Sequence, residues 1–430
     1  MIRSAGPRTL ADALLILKMN EVNIDARRAV HHEAAHASAS EPTVACAPAA
    51  SRIQRQIDAL FLLNSLTVGG SEMKTVRMAN ALTSRGLRTG IAYLNGPEDL
   101  RSALRPEIPV WHLRRQGKLS LPALHRLRGL IREQRPRTIL SVNLYPALYL
   151  SLASTGSPSR HHSVALLNTT ILPAGQAWKK GFYLPFLRRM DRVVYGCQSH
   201  RAEWATPAIF PKSGVIYNGV DTERFLPDAD RERSLAERAA RGVAPDAFVF
   251  GTVGRLAPEK NQRVLIEALC ELRDRGVPAH LLLVGEGRER AELERQVDQA
   301  GMRAHVTFAG AQKDVRPLLS MMDVFVLPSS RVETFSNAAL EAMAMQVPVV
   351  LSRIGGANEM VRDGIDGYTL DIDELSSALT PLLIKLQGDE RLRSVLGRRA
   401  RERVEREFSF ESMVNDYVAL IAARGSSGGD

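Results

Sequence analysis

Two carboxylates eight positions apart, Glu333 and Glu341 in the stretch RVETFSNAALEAMA, flank a Thr-Phe-Ser-Asn turn. Acids so spaced serve either as solvated charges of a helix or as the paired carboxylates of a binding site. The preceding DVFVLPSS has the apolar run of a buried strand, and AALEAMAM is strong helix-forming sequence with Ser336 or Asn337 able to cap it. Glu333 then belongs to a loop and Glu341 lies about one turn into a helix. The first turn of a helix has backbone N–H groups without intrahelical partners and the positive end of the helix dipole, so residues 336–339 could hold a phosphate. A carboxylate there is also a plain helix stabiliser, worth about 0.3–1 kcal/mol. That role accounts for Glu341 by itself but not for Glu333 in the loop.

A second cluster is GTVGRLAPEKNQ, in which a strand ends at Val253, Gly254 permits close approach, and Arg255 and Lys260 project from the next loop. Two cations at the carboxyl edge of a strand suit a diphosphate, since each charged hydrogen bond contributes about 1.5–3 kcal/mol. Alone, the same residues read equally as surface charge. A third cluster is VGGSE, where Gly69 and Gly70 open a helix just after a strand. It matches neither G-x-G-x-x-G nor the Walker spacing, which argues against a nicotinamide-dependent oxidoreductase and a P-loop enzyme. Glycines there let backbone amides approach a ligand, and a turn or packing role explains them as well.

The elements that must position these clusters repeat strand, helix, strand along the chain. Apolar runs at DALFLLNSL, RTGIAYLNG, RTILSVNL, HSVALLNTT and RVVYGCQS alternate with helical patterns, one carrying Met73, Val76, Ala79 and Leu82 and a basic one over residues 121–134. The charged stretch LPDADRERSLAERAARGVAPD then interrupts the pattern, and AFVFGTVGRL, HLLLVGEG, HVTFAG, DVFVLPSS and VPVVLS restart it. A final helix begins after Ser409 and carries Met413, Tyr417, Leu420 and Ile421. Alternation of this kind predicts parallel sheets covered by helices on both faces, with ligands at the carboxyl ends of the strands. The expected division is a flexible extension over 1–55, a first domain over 56–225, a second over 226–408 and a terminal helix over 409–424.

At 430 residues, 45% apolar and 24% charged, the chain has ordinary globular composition and length for two domains. Three cysteines without metal-like spacing argue against a disulfide framework or structural zinc and fit a reducing cytosol. The run LADALLILKM is too short for a spanning helix, and TILSVNLYPALYLSLASTGSPS is punctuated by polar residues and reads as a strand followed by a helix. No membrane span is expected. Charge is uneven: residues 52–224 hold 25 Lys and Arg against 10 Asp and Glu, whereas the net charge of the whole is +10. A basic first half points to an anionic partner, either a membrane surface or a phosphorylated acceptor, or else to a solvated arginine-rich face.

VGGSE, YNGVDTERF, GTVGRLAPEKNQ, LLLVGEG, VTFAG and above all the Glu333–Glu341 spacing, in this order over residues 56–424, resemble the family 4 retaining glycosyltransferases and their E-x7-E motif. The resemblance implies a GT-B fold: two Rossmann-like parallel-sheet domains facing a cleft, an acceptor-side domain first and a nucleotide-sugar domain second. It implies that Arg255 and Lys260 neutralise the departing diphosphate, that Glu341 accepts hydrogen bonds from the ribose, and that Glu333 binds the transferred sugar. Backbone groups of Phe335, Ser336 and Asn337, with Gly254, would touch donor, and Gly69 and Gly70 would face it from the first domain. The co-substrate implied is a nucleotide sugar, with a UDP-sugar expected, and the acceptor a glycan or lipid-linked saccharide of bacterial surface polysaccharide or lipopolysaccharide. Nucleic acid is not an expected partner. A cytoplasmic protein with peripheral contact at the inner membrane face is expected.

No metal is expected, since Asp371-Ile-Asp373 and Asp228-Ala-Asp230 match a D-x-D pair only superficially. One departure concerns the first domain, where many relatives carry a histidine after the strand that here reads VALLNTT. Leu167 or Asn168 stands there, and Asn143 stands where another histidine is common; Asn168 could still bond a sugar hydroxyl. The departure keeps a second reading open, a sugar-nucleotide-binding partner protein with weak or no transfer.

Overall fold

The computed structural model describes residues 56–155, 161–168, 178–227, 231–331 and 333–423. The expected extension over 1–55, and the Asp228-Ala-Asp230 pair, lie outside the described residues. The chain divides into two compact units, one of residues 1–165 and 172–191 and the other of residues 166–171 and 192–430.

Thirteen strands are described: β1 Ala59–Leu63, β2 Thr89–Tyr93, β3 Val110–His112, β4 Thr138–Val142, β5 His162–Leu167, β6 Arg192–Tyr195, β7 Ser213–Val215, β8 Phe248–Val253, β9 Ala279–Val284, β10 Val306–Gly310, β11 Val324–Leu327, β12 Val349–Ser352 and β13 Tyr368–Leu370. They form a seven-stranded sheet ordered β3-β2-β1-β4-β5-β6-β7 and a six-stranded sheet ordered β10-β9-β8-β11-β12-β13. Every pairing described is parallel.

The reason is visible in the second sheet, where side chains alternate between two separate apolar cores. Phe248, Phe250, Leu281, Leu283, Val324, Val326 and Val350 belong to one core. Their chain neighbours Val249, Leu282, Val284, Phe325, Leu327, Val349 and Leu351 belong to the other. A strand buried on both faces must be apolar throughout and must be covered by helices on each side, which is the parallel-sheet solution. The helix Arg263–Asp274 supplies one cover, burying Val264, Leu265, Ala268, Leu269 and Leu272 as its 3.6-residue period requires. In the first unit β1, β2 and β4 are wholly buried. The stretch read as strand and helix is β4 followed by the helix Leu144–Ser154.

Both sheets reverse strand order at a central pair, β1 with β4 and β8 with β11. At such a point the two connections leave in opposite directions and open a crevice outside the carboxyl ends of the strands, where α/β sheets hold ligands. The loops there are 64–69 and 143 in the first sheet, and 254–262 and 328–336 in the second.

Candidate active site

The second switch point brings together the two charged loops singled out from spacing. β8 ends at Val253, and the loop after it carries Gly254, Arg255 and Lys260. β11 ends at Leu327, and the loop after it carries Glu333 and runs to the helix Asn337–Ala344. Lys260 Nζ lies 2.5 Å from Glu333 Oε2, and Ser329 Oγ donates to the same oxygen at 3.3 Å. Both members of this ion pair are largely shielded, with side-chain exposures of 19% and 17%. An ammonium and a carboxylate so placed form a shielded, charge-assisted pair at the carboxyl edge of the sheet.

Arg255 is placed differently. Its side chain is 71% exposed and reaches Glu259 Oε1 at 3.3 Å, while Arg288 approaches the other Glu259 oxygen at 3.5 Å. Two guanidinium groups thus share one acid at the rim of the loop. Glu259 was not singled out from the sequence, and its only signal there is its place between Arg255 and Lys260. Its carbonyl accepts from Ser330 N at 2.9 Å, which ties the β8 loop to the β11 loop. Gln262, nearly buried, donates to the Arg255 carbonyl at 3.0 Å and fixes the backbone from which Arg255 projects.

Ser336, not Asn337, is the N-cap: its Oγ accepts from Ala339 N at 3.3 Å. Asn337 is the first helical residue and is exposed. The cap occupies the amide of Ala339, so Asn337 and Ala338 carry the first-turn donors that the helix does not use itself. Glu341 is the fifth residue of the helix, half-buried and past the first turn, which contains no acid. Stabilisation of the helix dipole falls off within that turn and therefore explains Glu341 less well than the sequence alone implied.

The 333–336 backbone is fixed from behind. Gly356 N donates to the Thr334 carbonyl at 2.8 Å and Asn218 Nδ2 to the Phe335 carbonyl at 2.7 Å. The Phe335 ring is buried against Tyr217 and Phe408, with centroids 4.8 and 5.1 Å away. Asn218 belongs to YNGVDTERF, a motif read from the sequence without a role for this side chain. Gly254 is not pressed by the protein, since a Cβ there would meet nothing within 4 Å. The close approach falls on Gly285 instead, at φ +139, where a Cβ would lie 1.9 Å from the Gly254 carbonyl.

In the first sheet the helix Gly70–Ser84 starts after Gly69, which has no side chain to cap it. Open space surrounds Gly70, and a Cβ on Gly69 would meet only the flexible carboxylate of Glu72. Asn143 has φ 69° and ψ 176°, a region otherwise occupied almost only by glycine, and Asn143 Nδ2 lies 3.4 Å from Ser71 Oγ. Strain of that kind persists only where the surroundings over-determine it. Asn168 follows β5 and is half-buried. His200 is buried in the helix Gln198–Trp204, where desolvation lowers its pKa to about 4. Asp371 is engaged by Arg353 at 2.9 Å, and among the described residues no group of three or more His, Cys, Asp or Glu could hold a metal ion.

The description Glycosyltransferase Family 4 matches residues 68–224, and Glycosyl transferases group 1 matches residues 247–386. The lipopolysaccharide core biosynthesis glycosyltransferase LpsE of Rhizobium meliloti (strain 1021) is 35% identical over 210 residues, 49% of this chain and 58% of that protein. The GDP-mannose-dependent alpha-(1-6)-phosphatidylinositol monomannoside mannosyltransferase of Mycolicibacterium smegmatis (strain ATCC 700084 / mc(2)155) is 37% identical over 206 residues, 45% and 53% of the two chains. Matches of this kind span little more than half the length of these relatives. The crystal structure of Anabaena Alr3699/HepE in complex with UDP superposes with a TM-score of 0.75 at 22% identity, covering 85% of this chain and 99% of that one.

Proposed function

The chain belongs to the family 4 glycosyltransferases and has the GT-B fold, and from that premise we propose that it transfers a hexose, with retention at the anomeric carbon, from a nucleoside diphosphate sugar. UDP-sugars are the expected donors. The acceptor we propose is a growing glycan or lipid-linked saccharide of a bacterial surface polysaccharide or lipopolysaccharide. The relatives support that class: one is named for lipopolysaccharide core synthesis and another for a phosphatidylinositol mannoside.

The single observation that carries the proposal is the 2.5 Å contact between Lys260 and Glu333, made by the two loops of the switch point. Departure of a nucleoside diphosphate develops negative charge, and cations held in place beforehand lower that barrier without reorganisation. In the proposed complex Lys260 and Arg255 meet the diphosphate, with the amides of Asn337 and Ala338 beside them. Glu333, already oriented by Ser329 and Lys260, faces the sugar, and Glu341 takes the ribose hydroxyls. Gly69 and Gly70 belong to the donor side, and Asn143 and Asn168 serve the acceptor side as polar groups. This set of charges needs no divalent ion, and we propose a metal-independent reaction. Loss of transfer on chelation, restored by a divalent ion, would overturn that part.

Peripheral binding to an anionic membrane belongs to the same proposal. It is supported by the basic first half and by exposed Arg114, Arg126, Arg132 and Arg135, and no described helix is long and apolar enough to cross a membrane. Sedimentation with anionic vesicles at low salt tests it.

The deciding experiment is a thermal-shift screen of UDP-sugars with GDP-mannose as the competing arm, followed by transfer assays on the donor that binds. Arg255→Ala and Glu341→Ala should each lower transfer about a hundredfold with folding intact. Wild-type rates in both variants would refute the site. The replacement of the usual histidines by Asn143 and by Leu167 or Asn168 favours a second reading, a donor-binding protein that does not transfer. That protein would be stabilised by donor yet release no nucleoside diphosphate.

A further inference from the structure

Behind the loop that carries Glu333 sits a carboxylate with no part in the chemistry above. Glu359 lies in the four-residue helix Ala357–Met360, which begins just after Gly356, the residue whose amide holds the Thr334 carbonyl. One oxygen of Glu359 accepts from Gln198 N at 2.7 Å and from Tyr217 OH at 2.9 Å. The other accepts from Ser199 N at 2.8 Å and Ser199 Oγ at 2.7 Å. Four donors from two segments about 140 to 160 residues away thus converge on one side chain. The backbone of the same short helix is held as well: Arg403, buried, donates to the carbonyls of Glu359 at 2.8 Å and Met360 at 2.9 Å. Glu359 is therefore fixed by its own main chain and its carboxylate together.

The segments that Glu359 binds enclose the 334–335 backbone. Tyr217, bonded through its hydroxyl, lays its ring against Phe335, and its neighbour Asn218 holds the Phe335 carbonyl. Gly196 and Cys197, directly before Gln198, press on the other side. A Cβ on Gly196 would lie 2.9 Å from Thr334 Cγ2, and one on Gly356 would lie 2.9 Å from Cys197 Cβ and 2.7 Å from the Phe335 ring. Contacts this tight transmit displacement, because packed interiors yield little. The burial of Tyr217 and its bond to Glu359 also raise the phenol's pKa, so it remains a donor at physiological pH.

We propose that Glu359 is a positioning residue for the donor loop: its carboxylate ties residues 197–199 and Tyr217 to the Gly355–Gly356 turn and so sets where the backbone of Thr334, Phe335 and Ser336 stands. The proposal rests on the reading of residues 333–341 as the donor-binding segment. A carboxylate shared among charge-assisted bonds is both strong and geometrically demanding, which suits this task. Its loss lets the loop drift, and drift of about 1 Å at a reacting centre costs up to a hundredfold in rate.

The test uses the full chain with Glu359→Gln, which keeps size but puts a donor where an acceptor oxygen stood, and Tyr217→Phe, which keeps the ring stack and removes only the hydroxyl. Hydrogen exchange is followed in peptides covering 196–201 and 333–340, without ligand. Glu359→Gln should speed exchange in both peptides on the order of tenfold or more, and Tyr217→Phe should do so to a smaller degree. With the donor identified by thermal shift, Glu359→Gln should raise the donor KM and lower kcat on the order of tenfold, leaving the acceptor KM unchanged. Faster exchange at 196–201 with wild-type exchange at 333–340 would reduce Glu359 to a helix cap and overturn the proposal. If Glu359→Gln fails to fold, Tyr217→Phe decides by the same two peptides. A wild-type chain that binds no nucleotide sugar sinks the functional reading alone, since the exchange comparison still decides the positioning.

Discussion

Arg255 and Lys260, five residues apart on one loop, stand in contrasting environments, and the contrast separates stability from function. Arg255 is largely solvated and shares Glu259 with Arg288, a kind of surface pair that contributes about 1 kcal/mol at most. Arg255→Ala should leave urea-unfolding midpoints nearly unchanged while lowering transfer about a hundredfold, so its loss would report chemistry rather than folding. Lys260 is shielded with Glu333, and removing one partner strands the other's charge. Lys260→Met should lower transfer and also cost about 1.5–3 kcal/mol of stability. Adding Glu333→Gln to Lys260→Met should return part of that stability, because both charges are then gone. An additive double variant in urea titrations would show that the pair is not coupled. That Lys260 meets Glu333 and is shielded was not legible in GTVGRLAPEKNQ, since that partner comes from a loop 73 residues on.

At the scale of elements, short turns hold the loops at the switch point. Gly355 has φ +53, and a Cβ there would lie 1.8 Å from the Glu333 carbonyl. Gly355→Ala combines left-handed strain of about 1–2 kcal/mol with that overlap, so it should destabilise the protein by at least that amount and abolish the thermal shift given by donor. An unchanged donor shift in Gly355→Ala would show that the turn does not govern the loop. The central strands were legible because each is an apolar run buried on both faces, as with β1, β4, β9 and β11. β3 and β7 were missed: each has three residues, each ends its sheet, and neither is fully buried. An edge strand has one neighbour, so its sequence carries half the constraint. Ser409, after which the last helix was expected to begin, is its N-cap, accepting from Ser412 N at 3.1 Å.

For the molecule as a whole, two buried histidines give a stability signature. His200 and His280 are each lowered by desolvation from the usual 6.5 to about 4. Between those values the unfolded chain takes up a proton at each site and the folded chain does not, so stability is full above about pH 6.5 and falls as pH drops toward 4. The slope should approach about 1.4 kcal/mol per pH unit for each histidine. Urea titrations at pH 7, 6 and 5 on the wild type and His280→Gln should show the smaller slope in the variant; equal slopes would contradict the burial argument for that residue. Donor binding should act in the opposite sense, with a nucleotide sugar at about a hundred times its Kd stabilising the fold by about 2.7 kcal/mol.

The alternation of the longer strands and helices along the chain, the parallel class of the sheets and the identity of the two loops that carry charge were set by local pattern: apolar runs of strand length, helical periodicity, glycines and caps. Such features depend on neighbours a few residues away and are therefore written in the chain itself. Contact across long separations was decided only by the fold. The meeting of Lys260 with Glu333 depends on β8 and β11 being neighbours at a switch point, and the approach of Arg288 to Glu259 and the four donors gathered by Glu359 likewise join segments far apart in the chain. Strand order is fixed by how two cores close around a sheet, a property of the whole set of buried residues rather than of any stretch.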